Sequence, residues 1–330
     1  MPEDLRNRVD RQPTVAGLSE ADLLARIFPR LRMEAGHAAS TLLGPGDDAA
    51  VVAAPDGKTV ISIDTQVQYQ DFRLLWPNGY RTTGFDVGWK AAAQNLSDIN
   101  AMGAQATSMV VSLTLPVDTP VSWVEELADG LTAGIRELGA VRCSVAGGDL
   151  GRGREISVTV AVLGTLDGGR PVLRSGARAG DILALAGTVG HAAAGLALLE
   201  ADVPVDTLGP AERVFLDLQC RPRPPLAAGP AARAAGATAM LDISDGLLRD
   251  GRRLAAASNV AVALDPARLA ELAEVLAPAA ALLGADPANW VLGGGEDHGL
   301  LATFPDDVQL PPGFTALGSI HALGTDDGPG

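Results

Sequence analysis

Five short acidic segments carry the residues of this chain that could do chemistry. They read GDDAAVV (46–52), SID (62–64), NLSD (95–98), AGGD (146–149) and DISDG (242–246). Carboxylates that converge without basic partners repel one another, and their pKa values rise. Magnesium removes that repulsion because it takes oxygen ligands and bridges carboxylates to phosphate groups. The segments therefore indicate an enzyme that acts on a magnesium–nucleotide, although the sequence contains no G-x-x-x-x-G-K-[ST] phosphate loop.

The first two segments lie beside predicted strands. Gly46 allows a turn, and the adjacent Asp47 and Asp48 point in opposite directions if the backbone is extended. One of these carboxylates could then face a metal while the other braces the loop. Asp64 ends an apolar strand and Thr65 follows it, a position from which either residue could bind a metal. A polar hairpin edge and a simple turn or helix cap are the alternatives for these two segments.

The third segment lies on a helix predicted from about Arg81 to Met102. Asn95 and Asp98 are three residues apart and therefore share one face of that helix. The surrounding residues are mostly Ala, Leu and Met, so this face is predicted to be buried, where polar side chains need partners. We favour a metal-ligand role for this pair over a neutral hydrogen-bonded pair.

The fourth segment is predicted to be a glycine turn that follows a strand ending at Ala146. The backbone N–H groups of Gly147 and Gly148 could approach phosphate oxygens there, and Asp149 could face a metal. A lone GGD string is common in proteins, so on its own it is weak evidence for a phosphate site.

The fifth segment leads from a strand into a helix. Asp242 and Ser244 share one face of the strand end, and Ser244 or Asp245 is predicted to cap the helix that starts at Leu247. A capped helix without catalysis is the alternative. A further acidic loop, GGGED (293–297), contains Glu296 and suits a substrate or metal, although solvated loops can have the same composition.

Composition and charge exclude several functional classes. The 330 residues are 47% apolar, and 25 basic against 40 acidic residues give a net charge of −15. This balance argues against nucleic acid or an anionic membrane as a partner, since both require basic surface. The sequence contains no run of about 18 apolar residues and no signal-peptide core. The only two cysteines, Cys143 and Cys220, are far apart, and this predicts neither a disulfide framework nor a zinc site but a reduced, cytoplasmic protein.

The predicted elements divide the chain near the Gly-rich turn at 167–170. Residues 1–17 are predicted to be a flexible tail, and strands at 49–54 and 59–64 are predicted to form a hairpin around Pro55–Gly57. Neighbouring strands mixed with crossover helices favour α+β domains over one doubly wound sheet.

Taken together and in order, the motifs resemble the thiamine-monophosphate kinase family from about Ser19 to Ile320. The resemblance implies two domains: a mixed-sheet N-terminal domain of the aminoimidazole-ribotide synthetase type at 18–166, which binds ATP and magnesium and dimerises, and an α/β C-terminal domain at 167–330, which completes the active site. The matching strings are GPGDDAAVV, SIDTQVQYQDF, VGWKAAAQNLSDINAMGA, AGGDLGRG, RSGARAGD, DISDGL and GGGEDHGL.

The resemblance also implies an activity, which is transfer of the γ-phosphoryl group of ATP to thiamine monophosphate by a magnesium-dependent homodimer. The acceptor phosphate is already largely an oxyanion, so no side chain is assigned as a catalytic base. Asp71 and Glu296 are implied to lie near the thiamine moiety. The implied metal ligands are Asp47, Asp48, Asp64, Asp98, Asp149, Asp242 and Asp245, and the implied ATP contacts are Gly147, Gly148, Asp149, Arg174 and Ser244.

Two alternative functions are also consistent with these motifs. One is another ATP-dependent enzyme of the same superfamily, although a selenophosphate synthetase would be expected to have a reactive cysteine near its N-terminus, and this chain has none there. The other is a homologue that binds nucleotide or metal without turnover. Production of ADP that depends on thiamine monophosphate distinguishes these alternatives from the kinase.

Overall fold

Two larger β-sheets, one in each half of the chain, organise the part of the fold that the structure describes. This computed structural model describes residues 13–32, 40–43 and 50–324. The first half contains α1 (Glu20–Ile27), β1 (Thr41–Leu43), β2 (Val51–Val52), β3 (Val60–Val67), α2 (Gly84–Ala101), β4 (Gln105–Leu115), α3 (Val121–Glu137), β5 (Val145–Arg152) and β6 (Ser157–Thr165). The second half contains β7 (Ile182–Ala186), α4 (His191–Glu200), α5 (Pro210–Cys220), α6 (Ala228–Ala234), β8 (Ala239–Ile243), α7 (Leu247–Ser258), β9 (Val260–Leu264), α8 (Pro266–Val275), α9 (Ala277–Leu283), α10 (Pro287–Gly293), β10 (Gly299–Phe304) and β11 (Phe314–Ala322).

The N-terminal sheet is mixed, with the strand order β3-β6-β4-β5. β4 and β5 are parallel, whereas β6 runs antiparallel to both β3 and β4. Because successive strand residues point to opposite faces, Ile61 and Ile63 of β3 are exposed on the outer face, while Ser62 and Asp64 point towards α2 and are half-buried. Edge strand β3 therefore has an apolar outer face and a polar inner face.

The C-terminal sheet has five strands in the order β8-β10-β7-β11-β9, and all of its pairings are antiparallel. All six residues of β10 are buried, as expected for a strand with partners on both sides and helices packed around the sheet. Helices and sheets thus combine in both halves as predicted, and the α+β class is confirmed. No helix in the described part of the chain is long and apolar enough to span a membrane.

α2 lies between the two halves and is buried on nearly every side. Thr83 and Asp86 form a capping box at its N-terminus, and 15 of its 18 residues are buried. One side of α2 packs tightly on α3 through glycines of both helices. A Cβ on Gly88 would lie 2.0 Å from the carbonyl oxygen of Leu127, and one on Gly130 would lie 2.0 Å from that of Phe85. Glycine is thus required at both positions because the helix backbones are in contact.

The opposite side of α2 contacts the second half of the chain. The indole N–H of Trp89 donates to the carbonyl oxygen of Pro222 at 2.8 Å. The side chain of Asn100 accepts a 2.8 Å hydrogen bond from the Gly229 N–H and donates to the Pro225 carbonyl. α2 is therefore shared by the two halves of the chain.

One local prediction around the first strands is wrong. β2 pairs with β1 and not with β3, so the predicted hairpin of 49–54 with 59–64 does not form. β3 instead pairs with β6 over eight residues, from Val60 opposite Gly164 to Val67 opposite Ser157. Of the predicted flexible tail, 1–17, only residues 13–17 are described, and among them Val15 is buried and its N–H donates to the Thr119 carbonyl at 2.9 Å.

Two further predictions concern turns beside strands, and both are also wrong. The expected glycine turn at 147–149 is part of strand β5, in register with β4. Gly148 is needed there because a Cβ would lie 2.1 Å from the Val111 carbonyl oxygen. The residue that caps α7 is Gly246, with φ 110°, rather than Ser244 or Asp245. Ser19 caps α1 with its side chain, since its hydroxyl accepts the Asp22 N–H.

We expect Gly88→Ala to destabilise the protein strongly, because the new methyl group would collide with the α3 backbone. Overpacking of this kind costs about 1–3 kcal/mol. Gly251→Ala in α7 is a matched control, since no described atom lies within 4 Å of its Cβ position. That control should gain roughly 0.5–1 kcal/mol from helix propensity. Urea unfolding midpoints at equal m-value measure both effects. Equal midpoints for the two variants would contradict the proposed contact of the helix backbones.

Candidate active site

Acidic side chains from three elements meet where α2 contacts both sheets. Ser62 of β3 donates a 2.5 Å hydrogen bond to Asp98 of α2. One residue earlier on α2, the Ser97 hydroxyl donates to Asp242 of β8 at 2.9 Å. Asp64 lies on the same inner face of β3 as Ser62. The structure therefore brings Asp64, Asp98 and Asp242 into one region, as the sequence predicted.

Asp64 and Asp98, the two carboxylates of this region that come from the N-terminal half of the chain, lie in an environment that disfavours their charged forms. Burial, together with the nearby charges of Asp242 and Asp64, raises the pKa of Asp98 to about 6, although the hydrogen bond from Ser62 opposes the shift. Burial also raises the pKa of Asp64, and the charge of Asp242 adds to the effect. Both carboxylates would be stabilised by a cation, which is the electrostatic condition expected at a metal–phosphate site.

Asp242 differs from its two neighbours because it has a basic partner. Burial alone would raise its pKa, but the hydrogen bond and charge of His298 outweigh burial, and the pKa of Asp242 is lowered. His298 is itself buried, and the carboxylate of Asp242 raises the pKa of His298 against the effect of burial. Their Nδ1 and Oδ2 atoms are 3.4 Å apart. His298 is not among the site residues that the motifs imply.

The GGGED loop between α10 and β10 holds its residues in a constrained conformation. Asp297 is buried and accepts hydrogen bonds from the Thr188 hydroxyl and from the N–H groups of His191 and Ala192. It therefore caps α4 from a distant part of the chain. The residues on either side, Glu296 and His298, have φ values of 66° and 55°. Such left-handed backbone at non-glycine residues is strained and concentrates at functional sites.

Glu296, in the same loop, is paired with Lys90 of α2. Its Oε2 accepts hydrogen bonds from Lys90 at 3.0 Å and from Gln219 of α5 at 2.9 Å. Lys90 lowers the pKa of Glu296, which overcomes the opposing effect of burial. A cavity of about 20 Å³ beside this cluster is lined by Asp71, Lys90 and Gln219 among others. Asp71 and Glu296, both predicted near the substrate, therefore lie in the same neighbourhood.

Several predicted ligands are not gathered with this group. Asp149 lies on β5, at the opposite edge of the sheet from β3, three strand spacings or about 14 Å away. The Thr65 hydroxyl lies on the outer face of β3 and contacts Thr159. Asp245 pairs with Arg253 of α7 at 2.7 Å. The predicted ligands Asp47 and Asp48 lie outside the described residues.

The predicted ATP contacts lie on both sides of the cluster. Gly147 and Gly148 are in β5 with Asp149. Arg174 is exposed, and its charge helps to lower the pKa of Asp242. The carbonyl of Ser244 accepts the Glu296 N–H at 2.9 Å, which joins the DISDG and GGGED segments.

The donor chemistry of the cluster suits magnesium, although the protein side chains alone do not complete a site. Within the described ranges, no three His, Cys, Asp or Glu side chains are arranged closely enough to hold a metal ion. Magnesium is usually bound by one or two carboxylates together with water and substrate phosphates rather than by an all-protein cage. Asp64 and Asp98 supply oxygen donors whose raised pKa values favour a bound cation. These residues fit that mode of binding.

The fold and this site define the class of the protein. The sequence profile of the N-terminal domain of AIR synthase related proteins matches residues 46–166. The thiamine-monophosphate kinase of Mycobacterium tuberculosis (strain H37Rv) is 44% identical over 311 residues, which cover 93% of this chain and 86% of that protein. The chain therefore belongs to the thiamine-monophosphate kinase family.

Solved structures agree with this assignment. The thiamine-monophosphate kinase of Stenotrophomonas maltophilia K279a matches with a TM-score of 0.72 and 31% identity, over 93% of this chain and 95% of that one. A structure of AaThiL complexed with AMPPCP and TMP matches with a TM-score of 0.69 and 28% identity, over 93% and 92% of the two chains.

We expect Asp98→Asn to stabilise the ligand-free protein. The amide keeps an oxygen that can accept the hydrogen bond from Ser62. It removes the charge of the Asp98 carboxyl group, whose pKa is raised to about 6. A shift of this size corresponds to about 1–3 kcal/mol at neutral pH. Asp118→Asn, at an exposed position, should change stability by less than about 0.5 kcal/mol. Thermal unfolding without nucleotide or metal measures both variants, and a lower midpoint for Asp98→Asn would contradict the repulsion described here.

Proposed function

We propose that this chain catalyses ATP-dependent phosphorylation of thiamine monophosphate to thiamine diphosphate, with ADP as the second product. The observation that carries the proposal is the convergence of Asp64, Asp98 and Asp242 between the two sheets, with raised pKa values at the first two. A cluster that lacks enough positive charge of its own suits a reaction between two phosphate groups that arrive with cations. The activity named for the family and the complex of AaThiL with AMPPCP and TMP support the same reaction.

The described residues act mainly by alignment. Phosphoryl transfer between two phosphates requires the attacking and leaving oxygens to lie in line, and it needs little covalent participation by the protein. The acceptor is already an oxyanion, so no side chain has to remove a proton from it. Ser62 and Ser97 orient Asp98 and Asp242 by hydrogen bonds, and His298 holds Asp242 ionised. Ser97, Asp242 and His298 are buried, and the low dielectric around them strengthens their interactions.

Magnesium is part of the proposal. When bound, it would neutralise the negative charge of the phosphates. Asp64, Asp98 and Asp242 are the described residues that would hold it. Asp47, Asp48, Thr65, Asp149 and Asp245 remain predicted ligands. Asp149 could take part only if the phosphates of the nucleotide extend from one edge of the sheet to the other, because β5 and β3 form opposite edges.

The two substrates are proposed to enter from different sides of the carboxylate cluster. Gly147, Gly148, Asp149, Arg174 and Ser244 are proposed to contact ATP. Asp71 and Glu296 are proposed to contact the organic part of thiamine monophosphate. This arrangement divides the chain into an ATP- and magnesium-binding part at 18–166 and a part at 167–330 that completes the site. A cytoplasmic location for the reaction remains a prediction from the sequence.

The outer face of the N-terminal sheet supports a homodimer. Ile61 and Ile63 of β3 are 66% and 63% exposed, and Val110 of β4 is exposed on the same face, in register with Ile63 across Ala161 of β6. Contiguous exposed apolar side chains on a sheet favour association, because burial removes their surface from water. We propose that a second copy of the chain covers this face.

The decisive test of the proposed activity is ADP production by the purified protein with ATP and magnesium. ADP should form only when thiamine monophosphate is present, in a one-to-one ratio with thiamine diphosphate. Asp98→Asn should lower kcat by at least about 100-fold, while Asp118→Asn should match the wild type. ADP release that does not depend on thiamine monophosphate would indicate a different ATP-dependent enzyme. Absence of ADP from a protein that binds the nucleotide would indicate a homologue without turnover.

The homodimer is tested by sedimentation of the wild type and of Ile63→Asp. The wild type should sediment at twice 33.7 kDa. Ile63→Asp should shift the equilibrium towards the monomer, because the new carboxylate would be buried without a partner. Val275→Asp, at an exposed position on α8, provides a matched control that should remain dimeric. A monomeric wild type, or dissociation of both variants alike, would contradict the proposed interface.

A further inference from the structure

Lys90 is a buried lysine that takes no part in the phosphoryl transfer described above. The chain contains only two lysines, and Lys58 is exposed. Lys90 is 5% exposed and lies on α2 between Trp89 and a run of alanines. A buried ammonium group is costly unless it is paired and hydrogen-bonded. The ammonium group of Lys90, at the junction of the two halves, therefore needs a specific hydrogen-bonded partner.

That pairing is a closed ring of three side chains from three separate elements. Lys90 donates to Gln219 Oε1 at 2.9 Å and to Glu296 Oε2 at 3.0 Å. The amide of Gln219 donates to the same carboxylate oxygen at 2.9 Å. Each member thus contacts the other two, and the ring joins α2, α5 and the GGGED loop.

The ring uses only one of the two carboxylate oxygens of Glu296. Both of its hydrogen bonds end on Oε2, and the side chain remains 38% exposed. The backbone of the residue is held at φ 66° beside Asp297, which is anchored on α4. Glu296 is therefore fixed through its backbone and through one oxygen, and no hydrogen bond among the described residues ends on Oε1.

We propose that Lys90 and Gln219 are positioning residues that orient Oε1 of Glu296 as a hydrogen-bond acceptor for an N–H group on the ring system of the substrate. The proposal rests on the proposed function, because thiamine monophosphate carries such a donor on its aminopyrimidine ring. Lys90 neutralises the charge of Glu296, so this oxygen selects a hydrogen-bond donor rather than a metal ion. Glu296 then serves recognition, and the unpaired Asp64 and Asp98 serve the phosphates.

The test compares Lys90→Met, Lys90→Arg, Gln219→Leu and Glu296→Gln, with Lys58→Met as the matched control. Lys90→Met should raise KM for thiamine monophosphate by at least about tenfold and change KM for ATP by less than about threefold. Lys90→Arg, which keeps the charge, should recover part of the loss. Gln219→Leu, which leaves the ion pair in place, should give a smaller increase. Lys58→Met should behave as the wild type.

A double-mutant cycle separates positioning from a merely structural role. If Lys90 acts through Glu296, the double variant Lys90→Met/Glu296→Gln should have the same KM for thiamine monophosphate as Glu296→Gln alone. Additive effects, or equal increases of KM for both substrates, would overturn the proposal. A wild type that makes no ADP with thiamine monophosphate would instead refute the proposed function, so the two failures are distinguishable.

A second readout does not need turnover. Because the chain has two lysines, mass spectrometry after mild acetylation reports on each of them separately. In the wild type, Lys58 should react first and Lys90 should be protected. In Gln219→Leu, Lys90 should become more reactive while Lys58 is unchanged. Rapid acetylation of Lys90 in the folded wild type would overturn the proposed ring, and this result would stand even if Lys90→Met failed to fold.

Discussion

The burial of α2 between the two halves is the constraint on which the rest of the structure depends. One face of this helix is in backbone contact with α3 and accepts only small residues there, because a Cβ at Gly88 would overlap a carbonyl oxygen. Another face meets α5, α6 and β8 and carries Lys90 and Ser97, while Asp98 faces β3. A helix buried on every side can hold such groups only if each polar atom finds a partner. The partners come from elements far away in sequence, and these contacts define the site.

The polar groups along α2 fall into two electrostatic types. Lys90 is matched by Glu296 and Gln219, so that end of the junction is nearly neutral. Asp98, two turns further along the helix, faces Asp64 without a basic partner, and its pKa is raised. Asp242 lies between the two types because His298 compensates its charge. A single helix thus separates a region suited to an organic group from one suited to phosphates and cations.

The sequence predicted most of the long elements because their periodicity reflects burial. The helix predicted from about Arg81 to Met102 is α2, Gly84–Ala101, and the helix predicted to start at Leu247 does so. The aspartates Asp64, Asp98 and Asp242 also meet as expected. The predicted hairpin failed because turn residues such as Pro55 and Gly57 permit chain reversal but do not choose the strand partner.

Other features could not be found by local reasoning at all. Gly148 occurs in β5 because of a close approach by β4, a reason that differs from the phosphate contact suggested by its motif. Asp297 caps a helix that starts more than a hundred residues earlier, and no spacing rule predicts such a cap. Lys90 did leave a signal, since a lysine among Trp89 and three alanines is out of place on a buried helix.

The division of contacts along α2 also has a consequence for biosynthesis. Gln219 and Asp242, the partners of Lys90 and Ser97, are separated from them by 129 and 145 residues. At a translation rate of about 5–20 residues per second, roughly 6–30 s pass before the ribosome has added them. During that interval α2 can pack on α3 but has no counterpart for Lys90, Ser97 or the indole of Trp89. The nascent first half therefore exposes apolar surface together with polar groups whose partners are not yet made, and slow synthesis of the second half would prolong that exposure.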